Sequence, residues 1–191
     1  MRPRNGNGAT EAQRHRGQTW LGVLMVAAVL PAFAFGAGIP DTVDDALIRN
    51  YVVAGPGVAG GGQPSSAGLA RLKELGFRTV VNLRVEGESG YVDEKAILEA
   101  QGLRYVHVPL TASSLSDADV QAVRAVLDDA AAGPVLIHCT SGSRVGAVWA
   151  VIQGRQGKTA DEAEAEGRRV GMKGSAMTSA VRRLLEAVPP R

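Results

Sequence analysis

The stretch from Pro134 to Trp149 limits the fold more than any other part of the chain. It reads Pro134-Val135-Leu136-Ile137-His138-Cys139-Thr140-Ser141-Gly142-Ser143-Arg144-Val145-Gly146-Ala147-Val148-Trp149. A short apolar strand leads into a tight turn that holds the only cysteine of the chain, and an apolar helix follows. Ser141-Gly142-Ser143 lets the backbone curl so that successive N–H groups point into one concavity, beside the positive end of the helix dipole. That field favours a thiolate at Cys139, and Arg144 adds a planar cation able to hold two oxygens of one oxyanion. The turn is therefore expected to bind an anion, with Cys139 aimed at phosphorus or sulfur. The competing expectation for a lone cysteine at a strand end is an inert core residue.

Around this unit, strand and helix signals alternate. Arg49–Ala54 reads as a strand, and Val58-Ala59 as its hairpin return across Gly55-Pro56-Gly57, with Gly60–Gly62 a flexible joint. A helix opens at Pro64 with Ser65 or Ser66 as N-cap and closes at Gly76. Thr79–Leu83 is a β-branched run of the kind found in buried parallel strands. Tyr91–Ala100 reads as a helix, Arg104–Leu110 as a strand, and Ser116-Asp117-Ala118-Asp119 as a capped helix start. Helices are expected over Val145–Gln153, from Thr159, and from Ser175 or Thr178 to Val188. The alternation predicts an α/β three-layer sandwich with a central, mainly parallel sheet.

Charge and length restrict the partners. The formal charge is +2, but Arg2, Arg4, Arg14 and Arg16 against Glu11 carry +3 before residue 20, leaving the remainder near −1. No basic face is implied, so nucleic acid is not an expected partner. Trp20–Gly38 holds no charged residue, follows an arginine-bearing segment, and contains small residues spaced for cleavage. Residues 1–37 are expected to be an export signal, with an uncleaved membrane anchor as the alternative, ahead of one domain over 45–191. Either reading puts the domain outside the cytoplasm, periplasmic or secreted if cleaved and membrane-associated only if not.

The phrase His138-Cys139-Thr140-Ser141-Gly142-Ser143-Arg144 resembles the signature loop of the cysteine-dependent phosphatases. Its arginine comes five positions after the cysteine rather than six. That spacing resembles the phosphatase-like domain of bacterial beta-lactamase-hydrolase-like proteins, and also the active loop of rhodanese sulfurtransferases. Gly61-Gly62-Gln63-Pro64-Ser65 and Leu75-Gly76-Phe77-Arg78-Thr79-Val80-Val81-Asn82-Leu83-Arg84 are similar to the phosphatase-like family. The resemblance runs from Asn50 to about Gly174 and implies a cysteine phosphatase-like fold. It implies hydrolysis of a phosphomonoester on a small molecule or a protein, through a phosphocysteine on Cys139. Arg144 and the N–H groups of Thr140, Ser141, Gly142, Ser143 and Arg144 would bind phosphate, with His138 in support. No cofactor is expected, and no His/Cys/carboxylate cluster has the spacing of a metal site.

Two positions depart from the phosphatase pattern. Val145 stands where a Ser or Thr usually follows the arginine, with Ser141 or Ser143 as possible substitutes. No acid lies in Thr111-Ala112-Ser113-Ser114-Leu115, where the general acid is expected, so Asp117, and after it Asp119, are the nearest candidates. Both also suit a helix N-terminus. Arg84 is expected to pair with Glu86, and Tyr91 to lie at helical spacing from Lys95. A persulfide-carrying sulfurtransferase and a catalytically weak phosphate-binding module remain alternative functions.

Overall fold

The structure, a computed structural model, describes residues 38–187, which fall in one compact unit. The segment read as an export signal and the end of the last helix at Val188 lie outside the described residues. Among the described residues, no helix is long and apolar enough to cross a membrane.

Five strands form one sheet: β1 (Val52–Gly55), β2 (Val58–Gly61), β3 (Thr79–Asn82), β4 (Arg104–His107) and β5 (Val135–His138). Their spatial order is β1-β2-β5-β3-β4, and every pairing is parallel except the β1–β2 hairpin. β5 occupies the centre, and its four residues are all buried, as an uninterrupted apolar run before His138 requires. Helices α1 (Ser66–Arg71) and α2 (Lys95–Ala100) cover one face, where Leu69, Leu72, Leu98 and Leu136 share a core. Helices α3 (Asp117–Asp128), α4 (Ser143–Arg155), α5 (Ala160–Arg169) and α6 (Ser175–Ala187) cover the other, around Ile137, Cys139, Val148 and Val151. The three-layer sandwich with a mainly parallel sheet is the architecture read from the sequence. Side chains of a strand alternate between faces, so Cys139 joins the α4 side while His138 joins the α1/α2 side. β3 continues to a helix on one face and the adjacent β5 to a helix on the other. That arrangement opens a crevice at the carboxyl ends of the central strands.

Several local expectations hold. Ser65 caps α1 by accepting the Gly68 N–H (3.1 Å), and full capping boxes open α3 (Ser116/Asp119) and α5 (Thr159/Glu162). Two do not. Gly60 and Gly61 are not a flexible joint but part of β2, paired with Ile137 and His138 of β5. They are glycines because a Cβ would lie 2.8 Å from Val145 and 2.7 Å from Ile48, so close packing rather than flexibility selects them. Tyr91–Glu94 is not helical; α2 begins only at Lys95, because the Glu94 side chain is drawn inward to His138 instead of continuing a helical surface.

α4 packs most intimately on α5, where the two backbones meet at Gly146 and Gly167. An alanine Cβ at position 146 would fall 2.3 Å from the Gly167 carbonyl oxygen and 2.4 Å from the Met172 nitrogen. Helix propensity alone favours alanine over glycine by about 1 kcal/mol. The obstruction is backbone and cannot swing aside, so packing decides the sign. Gly146→Ala is expected to destabilise the domain by roughly 1–3 kcal/mol, the range for overpacked sites, read as a lower midpoint in urea unfolding.

Candidate active site

The loop between β5 and α4 is shaped by its carbonyls. Thr140 C=O accepts the Gln63 N–H (3.3 Å) and Ser141 C=O accepts the Asn50 side-chain amide (3.0 Å). Gly62, bridged to Ser141, approaches so closely that a Cβ would sit 2.9 Å from the Thr140 oxygen. With the Thr140 carbonyl turned toward that wall, the N–H of Ser141 across the same trans peptide faces the other way. Gly142 makes the turn possible at φ +93°, a left-handed conformation that costs other residues about 1–2 kcal/mol. Its N–H donates to Cys139 Sγ at 3.1 Å. The N–H groups of Ser141, Ser143 and Arg144 have no acceptor among the described residues. The loop thus presents open donors at the N-terminus of a thirteen-residue helix, over a buried sulfur.

Arg144 turns inward and is locked. Its Nη1 donates to Leu83 O (3.1 Å), Leu110 O (3.0 Å) and Glu88 Oε1 (2.5 Å), and its Nη2 to Glu88 Oε2 (2.7 Å) and Thr140 Oγ1 (2.8 Å). Burial works against its charge. The bonds to Glu88 and the nearby Cys139 sulfur outweigh that and raise its pKa above the usual guanidinium value. Glu88 also accepts from the Val85 N–H (2.8 Å) and the Thr140 hydroxyl (2.8 Å). The Arg144 bonds above all, with these two adding, hold its carboxyl far below the ordinary range although partial burial pulls the other way. Glu88 is therefore a carboxylate at neutral pH, with no proton to donate.

A second, largely buried line of polar groups backs the loop. His138 Nε2 lies 2.9 Å from Glu94 Oε2, and Glu94 Oε1 accepts from the Gln63 amide. Gln63 Oε1 in turn accepts from Arg84 Nη1 (2.6 Å). Burial would raise the Glu94 pKa, but the His138 and Gln63 bonds, with the charges of His138 and Arg84, lower it instead. Arg84 is buried and donates to Gly90 O and Ser89 O (both 2.8 Å), and it pairs with Glu88 rather than the expected Glu86. Its guanidinium also lies 5.7 Å above the Tyr91 ring, which is how Tyr91 is placed without a helix.

The structure brings together His138, Cys139, Thr140, Ser141, Gly142, Ser143 and Arg144. It does not bring Asp117 to them. Asp117 is ion-paired with Arg155 and accepts from the Gln121 amide. Arg155 lies eleven residues along α4 from Arg144, about 16 Å at the helical rise. Asp117 is thus a helix-start acid compensating a cation at the far end of α4, and the general-acid assignment is withdrawn. Asp119 is consumed by the Ser116 capping box (2.9 and 2.7 Å). Val145 is buried against Gly60, and Ser143 Oγ is spent on the Lys173 backbone, which leaves the exposed Ser141 as the free hydroxyl of the loop. The sequence reading missed Glu88 and Glu94. The only signal for Glu88 was an acid placed between two turn glycines, Gly87 and Gly90.

The sequence profile described as beta-lactamase hydrolase-like protein, phosphatase-like domain, matches residues 51–156, from β1 through α4 with the whole loop inside. The chain belongs to this family. A beta-lactamase hydrolase-like protein of Xylella fastidiosa is 36% identical over 117 residues, covering 58% of this chain and 26% of that protein. The chain therefore spans about a quarter of the length of that relative. A putative phosphatase of Neisseria meningitidis superposes with a TM-score of 0.61 at 24% identity, over 75% of this chain and 99% of that one. The core catalytic domain of a PP-IP phosphatase of S. cerevisiae superposes with a TM-score of 0.58 at 17% identity, over 74% and 96%. At these identities the two structures establish the shared fold.

The Glu88 bridge has a pH signature. A carboxyl whose pKa is lower folded than unfolded stabilises the fold above its unfolded pKa, near 4.5, and loses that contribution as pH falls toward the folded value. Glu88→Gln is expected to be less stable than the parent at pH 7, with the gap in thermal midpoint narrowing steadily below about pH 4.5. A gap independent of pH contradicts the assignment.

Proposed function

We propose that the domain is a cysteine-dependent phosphomonoester hydrolase. The Cys139 thiolate attacks phosphorus, the bond from phosphorus to the leaving-group oxygen breaks, and a phosphocysteine forms. Water then attacks that intermediate, releasing inorganic phosphate and the thiolate. The observation that carries this reading is the Gly142 N–H directed at Cys139 Sγ within a ring of otherwise open N–H groups, with Arg144 at its edge. Those donors match the equatorial oxygens of a phosphoryl group and strengthen as charge develops. The family assignment and the fold neighbours, a putative phosphatase and a PP-IP phosphatase, support the same reaction class.

Turnover of p-nitrophenyl phosphate tests it. Cys139→Ser is expected to abolish turnover, and Arg144→Ala to lower kcat by roughly 10²–10³, as for loss of one preorganised oxyanion donor. Parental rates in both variants would exclude the mechanism. The carboxylate at the loop holds no proton and Asp117 and Asp119 are occupied elsewhere, so leaving-group protonation lacks the roughly 10²–10⁴-fold help of a general acid. Across a series of aryl phosphates, kcat/KM is therefore expected to fall steeply as the leaving phenol becomes a weaker acid, and a flat series would point to an acid after all.

One observation favours the reading as a binding module: both Nη groups of Arg144 are already committed to Glu88. It predicts thermal stabilisation by phosphate without turnover, and measurable turnover ends it. The persulfide alternative rests on the five-residue spacing alone. We also propose that the domain works after export, on the charge and hydropathy pattern of residues 1–37. Sequencing the N-terminus of the mature protein tests this, and an intact Met1 on cytoplasmic protein rejects it.

A further inference from the structure

Beside the cysteine loop lies an open cleft of ≈ 770 Å³, whose walls include Asp45, Arg49, Ser66, Arg84 and Thr140. Thr140 belongs to both places, since its hydroxyl contacts Arg144 and Glu88 within the loop. Arg49 is anchored to the same wall. Its carbonyl accepts the Gly62 N–H (2.7 Å), and Gly62 is the residue pressed against the Thr140 backbone.

Among the described residues, several exposed arginines are spent on ion pairs, as Arg71, Arg104, Arg124 and Arg182 are with Glu74, Asp129, Asp128 and Asp161. The Arg49 guanidinium makes no hydrogen bond or ion pair among the described residues, and Arg49 lines the cleft. Asp45, four residues earlier, makes no ion pair with it; its Oδ1 accepts the Asn50 N–H (2.6 Å). Arg84 is on the same wall, but its donors are taken by Gln63, Ser89, Gly90 and Glu88. An unspent guanidinium fork beside an anion-binding loop is a receptor for a second oxyanion.

We propose that this cleft is a second phosphate subsite, so that the substrate is a small molecule bearing two phosphate groups, one over Cys139 and the other on Arg49. This rests on the phosphatase reading and specifies its substrate class. A small molecule is favoured over a phosphoprotein because the cleft has the volume of a metabolite pocket.

Calorimetry on the full chain tests it with two probes of one chain length, hexyl phosphate and 1,6-hexanediol bisphosphate. The bisphosphate is expected to bind roughly tenfold tighter, the worth of one charge-assisted contact. Arg49→Gln is expected to bring that ratio near one. Lys73→Gln, which removes an exposed cation outside the cleft, should preserve it. Equal affinities in the parent, or a ratio that survives Arg49→Gln, overturns the subsite. Turnover of p-nitrophenyl phosphate separates the two proposals: an Arg49-dependent binding preference with no p-nitrophenol release leaves the subsite standing and removes the catalytic reading. An acidic phosphopeptide binding more tightly than the bisphosphate, also through Arg49, overturns the small-molecule assignment.

Discussion

The architecture of the site depends on one buried cation. Arg84 is 1% exposed, and a guanidinium removed from water is tolerated only when its donors are met. The partners that meet them are Gln63 from the segment after β2 and the carbonyls of Ser89 and Gly90, with Glu88 alongside. Satisfying this one charge therefore fixes the whole course of the chain between β3 and α2. The consequences are then geometric. Glu88 arrives on Arg144 and Thr140, and Glu94 arrives on His138, so the front and back of the cysteine loop are both held by a segment with almost no regular structure. Much of the order of the loop is thus supplied from outside it.

What could be read in the sequence follows a simple division. The layered α/β architecture, the central strand, the capped starts of α3 and α5, and the turn around Gly142 were legible because each is written in neighbouring residues. The Arg84–Glu88–Arg144 chain was not, because Glu88 meets Arg144 across 56 positions and no local pattern marks the contact. The glycines of β2 show the limit from the other side. Gly60-Gly61-Gly62 has the composition of a hinge, yet its role is to let Val145, Ile48 and the Thr140 carbonyl come close. Asp117 failed for a related reason: an acid in a first helical turn looks the same in sequence whether it faces a substrate or, as here, a neighbouring arginine.

Val145 shows a trade between packing and chemistry. At the third position of α4 it is buried against Gly60 and belongs to the core that holds the helix on the sheet. A hydroxyl there would be a polar atom set in aliphatic surroundings. The family matched over residues 51–156 thus appears in this chain with the rim of the loop polar and the first inner turn of its helix given to the hydrophobic core.

Cys139 is the only thiol in the chain, and its sulfur rests against a peptide N–H at the base of the loop. Peroxide attack on that sulfur would give a sulfenic acid, and these 191 residues hold no second cysteine to capture it as a disulfide. Recovery then depends on a thiol from the surroundings, and without one the sulfur is open to the irreversible sulfinic stage. The lifetime of the site under oxidative stress is accordingly set by its redox environment rather than by its own fold.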